Sequence, residues 1–126
     1  MRRSLIFMGR TQQSIDSWPD DIREIIKTNL QALQRRQHHS FSSIPDFINA
    51  GKVTDKFLKG SRLKGAHQLT IKDRNSYRVV YIAQYQDAVF ILHAFKKKVN
   101  SVDQHAMKTV AERIKKLYRD RKNGRI

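Results

Sequence analysis

Apolar positions recur in two rhythms along this chain. Leu5-Ile6-Phe7-Met8 is a short apolar run bounded by charge and by Gly9, and it predicts a strand. Ser17-Trp18-Pro19-Asp20-Asp21 then reads as a helix start, with a serine cap, a first-turn proline and acids where the helix dipole favours them. Ile22, Ile25, Ile26, Leu30 and Leu33 follow at helical spacing as one stripe, and the helix is expected to end near Gln34-Arg35-Arg36-Gln37. Residues 38–62 carry Phe41, Ile44, Phe47, Ile48 and Val53, but Pro45, Gly51 and Gly60 interrupt them. The reading there is a short helix from about Pro45 to Ala50, followed by a loop. From Ala66 the rhythm changes to alternation. Gln68–Lys72, Tyr77–Ala83 and Ala88–Phe95 are three strands joined by turns at Asp73-Arg74-Asn75 and Tyr85-Gln86-Asp87, which makes an antiparallel meander.

Ser101 is expected to cap a last helix in which Val102, Ala106, Val110, Ile114 and Leu117 face one way, with a loose polar tail from Tyr118. Strand, helix, short helix, meander, helix is an α+β layout. The N-terminal strand and the meander form an antiparallel sheet with helices packed on it. At 126 residues, 1–126 reads as a single domain.

Charge adds what the pattern does not say. Lys plus Arg number 26 against 11 for Asp plus Glu, a formal net charge of +15. Such an excess suits a polyanionic partner, with RNA or a ribosomal surface ahead of an anionic membrane. No cysteine is present, which excludes disulfides, thiol chemistry and cysteine-ligated zinc. The five histidines lack metal-site spacing, so neither a metal nor another cofactor is expected. The N-terminal apolar run is only about four residues, below the roughly 7–15 of a leader's apolar core. With no stretch approaching a membrane span, the expected location is cytoplasmic.

Strand pairing can be worked out on paper. An even-length bend after Tyr81-Ile82-Ala83 puts Arg78 opposite Phe95, so Arg78, Val80 and Ile82 share a face with Ile91, His93, Phe95 and Lys97. The opposite face then carries Val79, Tyr81, Phe90, Leu92 and Ala94. A three-residue turn at Asp73-Arg74-Asn75 puts Thr70 opposite Arg78 and brings Gln68 and Lys72 to the same face. The cluster Arg78, His93, Lys97, Lys72 and Thr70 can hold a phosphate and stabilise charge growing on it. Beside two cations His93 should be held neutral, as a base able to take a proton from a 2′-hydroxyl. The competing readings are an edge arginine paired to an acid, a rim of solvated lysines and a core histidine bonded to backbone.

Tyr77-Arg78-Val79-Val80-Tyr81, then Val89-Phe90-Ile91-Leu92-His93-Ala94-Phe95-Lys96-Lys97-Lys98, resembles the phage-derived, HigB-like branch of the RelE/ParE toxin superfamily. The Trp18-Pro19 helix start, Leu58-Lys59-Gly60 or Leu63-Lys64-Gly65, and Ala111 and Arg113 of the last helix resemble it too. The resemblance implies a type II toxin, a metal-independent endoribonuclease cutting mRNA on the ribosome and silenced by a helix-turn-helix (HigA-like) antitoxin. It implies that Arg78 steadies the transition-state phosphate and that Lys97 is a second cation, with His93 as the third catalytic candidate. Lys64, Lys72, Arg74, Lys96 and Lys98 are the RNA- or ribosome-binding candidates. The chain departs from the pattern at Gln68 and Thr70, where RelE-like toxins carry lysines, and at Ser101-Val102, where a Thr-Pro is usual. A non-catalytic RNA- or ribosome-binding or regulatory member, and a ParE-like gyrase inhibitor, are the alternatives.

Overall fold

Both apolar stripes read from the sequence pack against one sheet, from opposite sides. A computed structural model describes residues 2–35, 53–97 and 103–125. Its elements are β1 (Ser4–Phe7), α1 (Thr11–Asp16), α2 (Asp20–Gln34), β2 (Val53–Phe57), β3 (His67–Lys72), β4 (Ser76–Ile82), β5 (Ala88–Lys97) and α3 (Gln104–Lys122), with a short 3-10 turn at Ser61–Leu63. The strand order is β1-β5-β4-β3-β2, and the class is α+β.

The sheet is mixed, where an antiparallel one was expected. β1 runs parallel to β5, with Ser4 opposite Ala88. A fifth strand, β2, forms where a loop was expected, and pairs antiparallel with β3 from Val53↔Ile71 to Phe57↔His67. Gly51 and Gly60 flank it rather than break it. The expected short helix at Pro45–Ala50 lies outside the described residues.

Helix limits also differ. Ser17 does not cap α2; it closes α1, its hydroxyl donating to the Ser14 carbonyl, and Pro19 occupies the position before α2. Asp103 caps α3 by accepting from the Ala106 amide at 3.0 Å; Ser101 lies outside the described residues. The tail expected to be loose continues α3 to Lys122. Arg121 grips Asp87 with two bonds of 2.9 Å and stacks over Tyr85, tying the helix end to the β4–β5 loop.

The core has two halves. Ile22, Ile25, Ile26, Leu30 and Leu33 of α2 meet Leu69, Ile71, Val79, Tyr81, Val89 and Ile91. Val110, Ile114 and Leu117 of α3 meet Val80, Ile82, Phe90 and Leu92. A β-bulge sits between these sets. Val80 faces His93, but Tyr81 faces Ile91, so Leu92 is the extra residue. The bulge exchanges the faces expected for part of β5: Ile91 turns to α2, and Phe90 and Leu92 turn to α3. Beyond it Arg78 pairs with Phe95, as the paper register required, although the bulge and not an even bend produces that match. The three-residue turn puts Lys72 opposite Ser76 and Thr70 opposite Arg78, as expected.

Candidate functional site

Three cross-strand rows build one end of the α3 face. Lys72 and Lys97 flank Ser76; Thr70 and Phe95 flank Arg78; Gln68 and His93 flank Val80. Arg78 is only 6% exposed, its Nε donating to the Ser76 hydroxyl at 3.2 Å and its guanidinium carbon 5.9 Å from the centre of the Phe95 ring. His93 also stacks on Phe95, its ring 5.1 Å away at 24°, so one phenyl ring contacts both polar groups. Gln68 and Thr70 are equally buried, and the Gln68 amide donates to the Thr70 hydroxyl at 3.2 Å. That pair is neutral where a lysine pair would add charge.

Not all the expected cations gather here. Lys72 and Lys97 share the Ser76 row, and Arg74 is exposed at the tip of the β3–β4 turn. Lys96 pairs with Tyr77, so strand alternation turns it to the α2 face. Lys64 lies beyond the far end of β3, where its carbonyl accepts from the Tyr118 hydroxyl at 2.7 Å. Lys98 lies outside the described residues.

Arg113 of α3 decides the state of His93. Its Nη1 donates to the Leu92 carbonyl at 2.6 Å and lies 3.3 Å from His93 Nδ1. A guanidinium cannot accept a hydrogen bond, so Nδ1 must, and the ring proton resides on Nε2. Burial first, and the Arg113 charge second, hold the imidazole below its ordinary pKa; His105 adds to this and Asp103 opposes it. The expected neutral ring thus owes its state to burial first and to Arg113 of α3 second, not to the two cations of its own sheet face. The guanidinium lies over Gly9, where a Cβ would come within 2.5 Å of Nη2, and Gly9 has φ +60°. Gly9, the bulge at Leu92 and Arg113 together fix His93. In the sequence Arg113 carries no signal of this role beyond its place in the family resemblance.

No group of metal-binding side chains occurs among the described residues, and none of their helices is long and apolar enough to cross a membrane.

Residues 13–115 match the family described as phage-derived protein Gp49-like (DUF891). The chain belongs to that family. Gp49-like proteins are related to RelE/HigB-type toxins and are associated with toxin–antitoxin systems, in which a toxin has an antitoxin partner. No curated protein and no solved structure matches the chain. In this Gp49-like fold the matched span includes α2, the whole sheet after β1, and α3 as far as Lys115, and so every residue of the three rows.

Proposed function

We propose that this Gp49-like protein is the toxin of a type II pair, in the HigB-like manner, and cuts mRNA on the ribosome. The observation that carries the proposal is the register that sets Arg78, His93 and Lys97 on neighbouring rows of one sheet face. In the reaction the RNA 2′-hydroxyl gives its proton to solvent water as its oxygen attacks the adjacent phosphorus, and the 5′-oxygen leaves and takes a proton from water, giving a cyclic phosphate and a 5′-hydroxyl. Arg78 and Lys97 stabilise the charge that develops on the phosphoryl oxygens. His93, with its proton on Nε2, donates a hydrogen bond to that group. Lys72 and Arg74 hold flanking phosphates, and the net charge of +15 draws the polyanion in.

The partner is a helix-turn-helix antitoxin. A groove of about 740 Å³ between β1 and α2, floored by Leu5, Phe7 and Leu30 and edged by Asp16, Asp20 and Glu24 together with Arg23 and Lys27, suits an amphipathic segment of it. A second reading, a non-catalytic binder, is favoured by the neutral Gln68–Thr70 pair.

Induction of the chain alone in a bacterium should arrest translation and leave mRNA cut within reading frames. Co-expression of a helix-turn-helix neighbour should reverse the arrest. Arrest with intact mRNA supports the binder, and intact mRNA with lost DNA supercoiling supports gyrase inhibition.

A further inference from the structure

Away from these rows, on the α2 face, a ladder of three rings crosses β2, β3 and β4. Phe57, His67 and Tyr81 lie opposite one another in consecutive strands. The Phe57 and His67 ring centres are 3.8 Å apart, and His67 lies 5.1 Å from Tyr81 with its plane only 6° off parallel. Asp55 locks the inner rungs, accepting from the Tyr81 hydroxyl at 2.5 Å and meeting His67 Nδ1 at 3.2 Å. Tyr81 is 1% exposed, whereas Phe57 is 65% exposed, so the ladder is anchored at one end and open at the other.

An exposed phenyl ring on an edge strand is unfavourable in water, yet here it is held, tilted by 39°, against a fixed support. Between Val53 and Lys72 the single acid is Asp55, which is engaged with Tyr81 and His67, while Lys56, Lys59, Arg62 and Lys64 are exposed. An aromatic platform within a cationic hairpin is the chemistry that holds unpaired nucleobases, because every base has a face to stack and a phosphate to neutralise. Lys56 alternates to the Arg78 face beside Gln68, and β2 lies two strand spacings, about 10 Å, from β4. A single strand lying across the Arg78 rows therefore meets the β2 edge next.

We infer that Phe57, backed by His67 and Tyr81, is a stacking site for one nucleobase of single-stranded RNA. The inference rests on the RNA-directed reading above and adds a second contact to it.

The test uses the full chain and a short fluorescein-labelled single-stranded RNA, intact or with abasic sugars, followed by anisotropy. Phe57→Ala should weaken binding of intact RNA about tenfold and leave binding of abasic RNA unchanged. Phe57→Trp should keep the affinity, and its indole emission should be quenched by intact RNA but not by abasic RNA. If wild type and Phe57→Ala bind intact RNA alike, the stack is overturned while salt-dependent RNA binding stands. If Phe57→Ala weakens both RNAs equally, the loss is not stacking, and the inference is again overturned. If wild type retains neither RNA at low salt, the stacking site and the RNA-directed reading fall together.

Discussion

His67 and His93 stand on opposite faces of the same sheet, and each turns Nδ1 to a charged partner of opposite sign. Asp55, a carboxylate, can only accept, so His67 Nδ1 donates. Arg113 can only donate, so His93 Nδ1 accepts and the proton of His93 sits on Nε2. Two identical side chains thus use the same nitrogen in opposite hydrogen-bonding roles. The lesson concerns role rather than presence. On the sheet face proposed to meet phosphate, a histidine can act as a base only if its neighbour leaves its lone pair open, and Arg113 occupies that of His93.

The greatest change should come from removing Arg78, which shares the sheet face of His93 in the next row and has no counterpart on the face of His67 among the described residues. Arg78→Ala should slow cleavage of ribosome-bound mRNA by about a hundredfold or more, a loss on the order of 3 kcal/mol in transition-state stabilisation. Arg78→Lys should recover a minor part, since an ammonium lacks the planar fork. Single-turnover cleavage with thermal unfolding in parallel measures both. Full activity in an Arg78→Ala protein that remains folded would remove Arg78 from the mechanism.

Next in size is a pair of substitutions that turns the contrast into chemistry. His93→Ala should slow cleavage about a hundredfold and leave ribosome affinity within a few-fold. His93→Gln should recover at least part of that loss, because the Gln amide nitrogen can supply a donor close to Nε2–H. If His93 were a base, Gln would be as slow as Ala. Rates for the three proteins on one ribosome preparation separate the two roles.

The sequence carried the site unevenly, for reasons visible in particular residues. Local alternation and turn chemistry sufficed to place Thr70 opposite Arg78, because the three-residue turn at Asp73–Asn75 leaves little freedom in register, whereas Phe95 reaches that row only through the bulge. The bulge was not legible: inserting Leu92 leaves the composition of the strand unchanged and exchanges the faces of Phe90 and Ile91. The edge strand β2 was obscured because Val53–Phe57 alternates weakly, with Asp55 and Lys56 in its middle, and only pairing with β3 makes it a strand. The partners of both histidines were out of reach for another reason. Asp55 lies 12 residues from His67 and Arg113 lies 20 from His93, and no periodicity links groups that meet across strands or between layers.

Replacing Arg113 should make the two histidines more alike. Arg113→Met keeps much of the side-chain length against Gly9 and Leu92 but removes the donor to Nδ1. Nitrogen NMR should show His93 shifting from one tautomer to a mixture, with His67 unchanged. The His93 pKa should rise yet stay below its ordinary value, because burial is the larger cause of its depression. A His93 spectrum indifferent to the substitution would mean that Arg113 does not set the tautomer.

The smallest expected effect is on stability against pH, and its sign follows from the same contact. The folded state holds His93 below its ordinary pKa of about 6.5, so the unfolded chain takes up the proton first as pH falls. The His93 contribution is therefore complete above about pH 6.5 and is lost as pH falls through the lower folded value. Of the charged groups facing the ring, Arg113 and His105 act in this direction and Asp103 against it. A second loss should begin at lower pH, where the bond from Arg121 holds the Asp87 carboxyl below its ordinary value and the Ala106 amide does the same for Asp103. Their contribution is complete above about pH 4 and is lost below it. The two losses begin at different points, below about pH 6.5 and below about pH 4, so chemical denaturation at steps from pH 8 to pH 3 should show the His93 decline starting first. His93→Gln should abolish the upper decline and keep the lower one. If the upper decline persists in that variant, it belongs to another histidine, and the buried, neutral state argued for His93 has no thermodynamic trace.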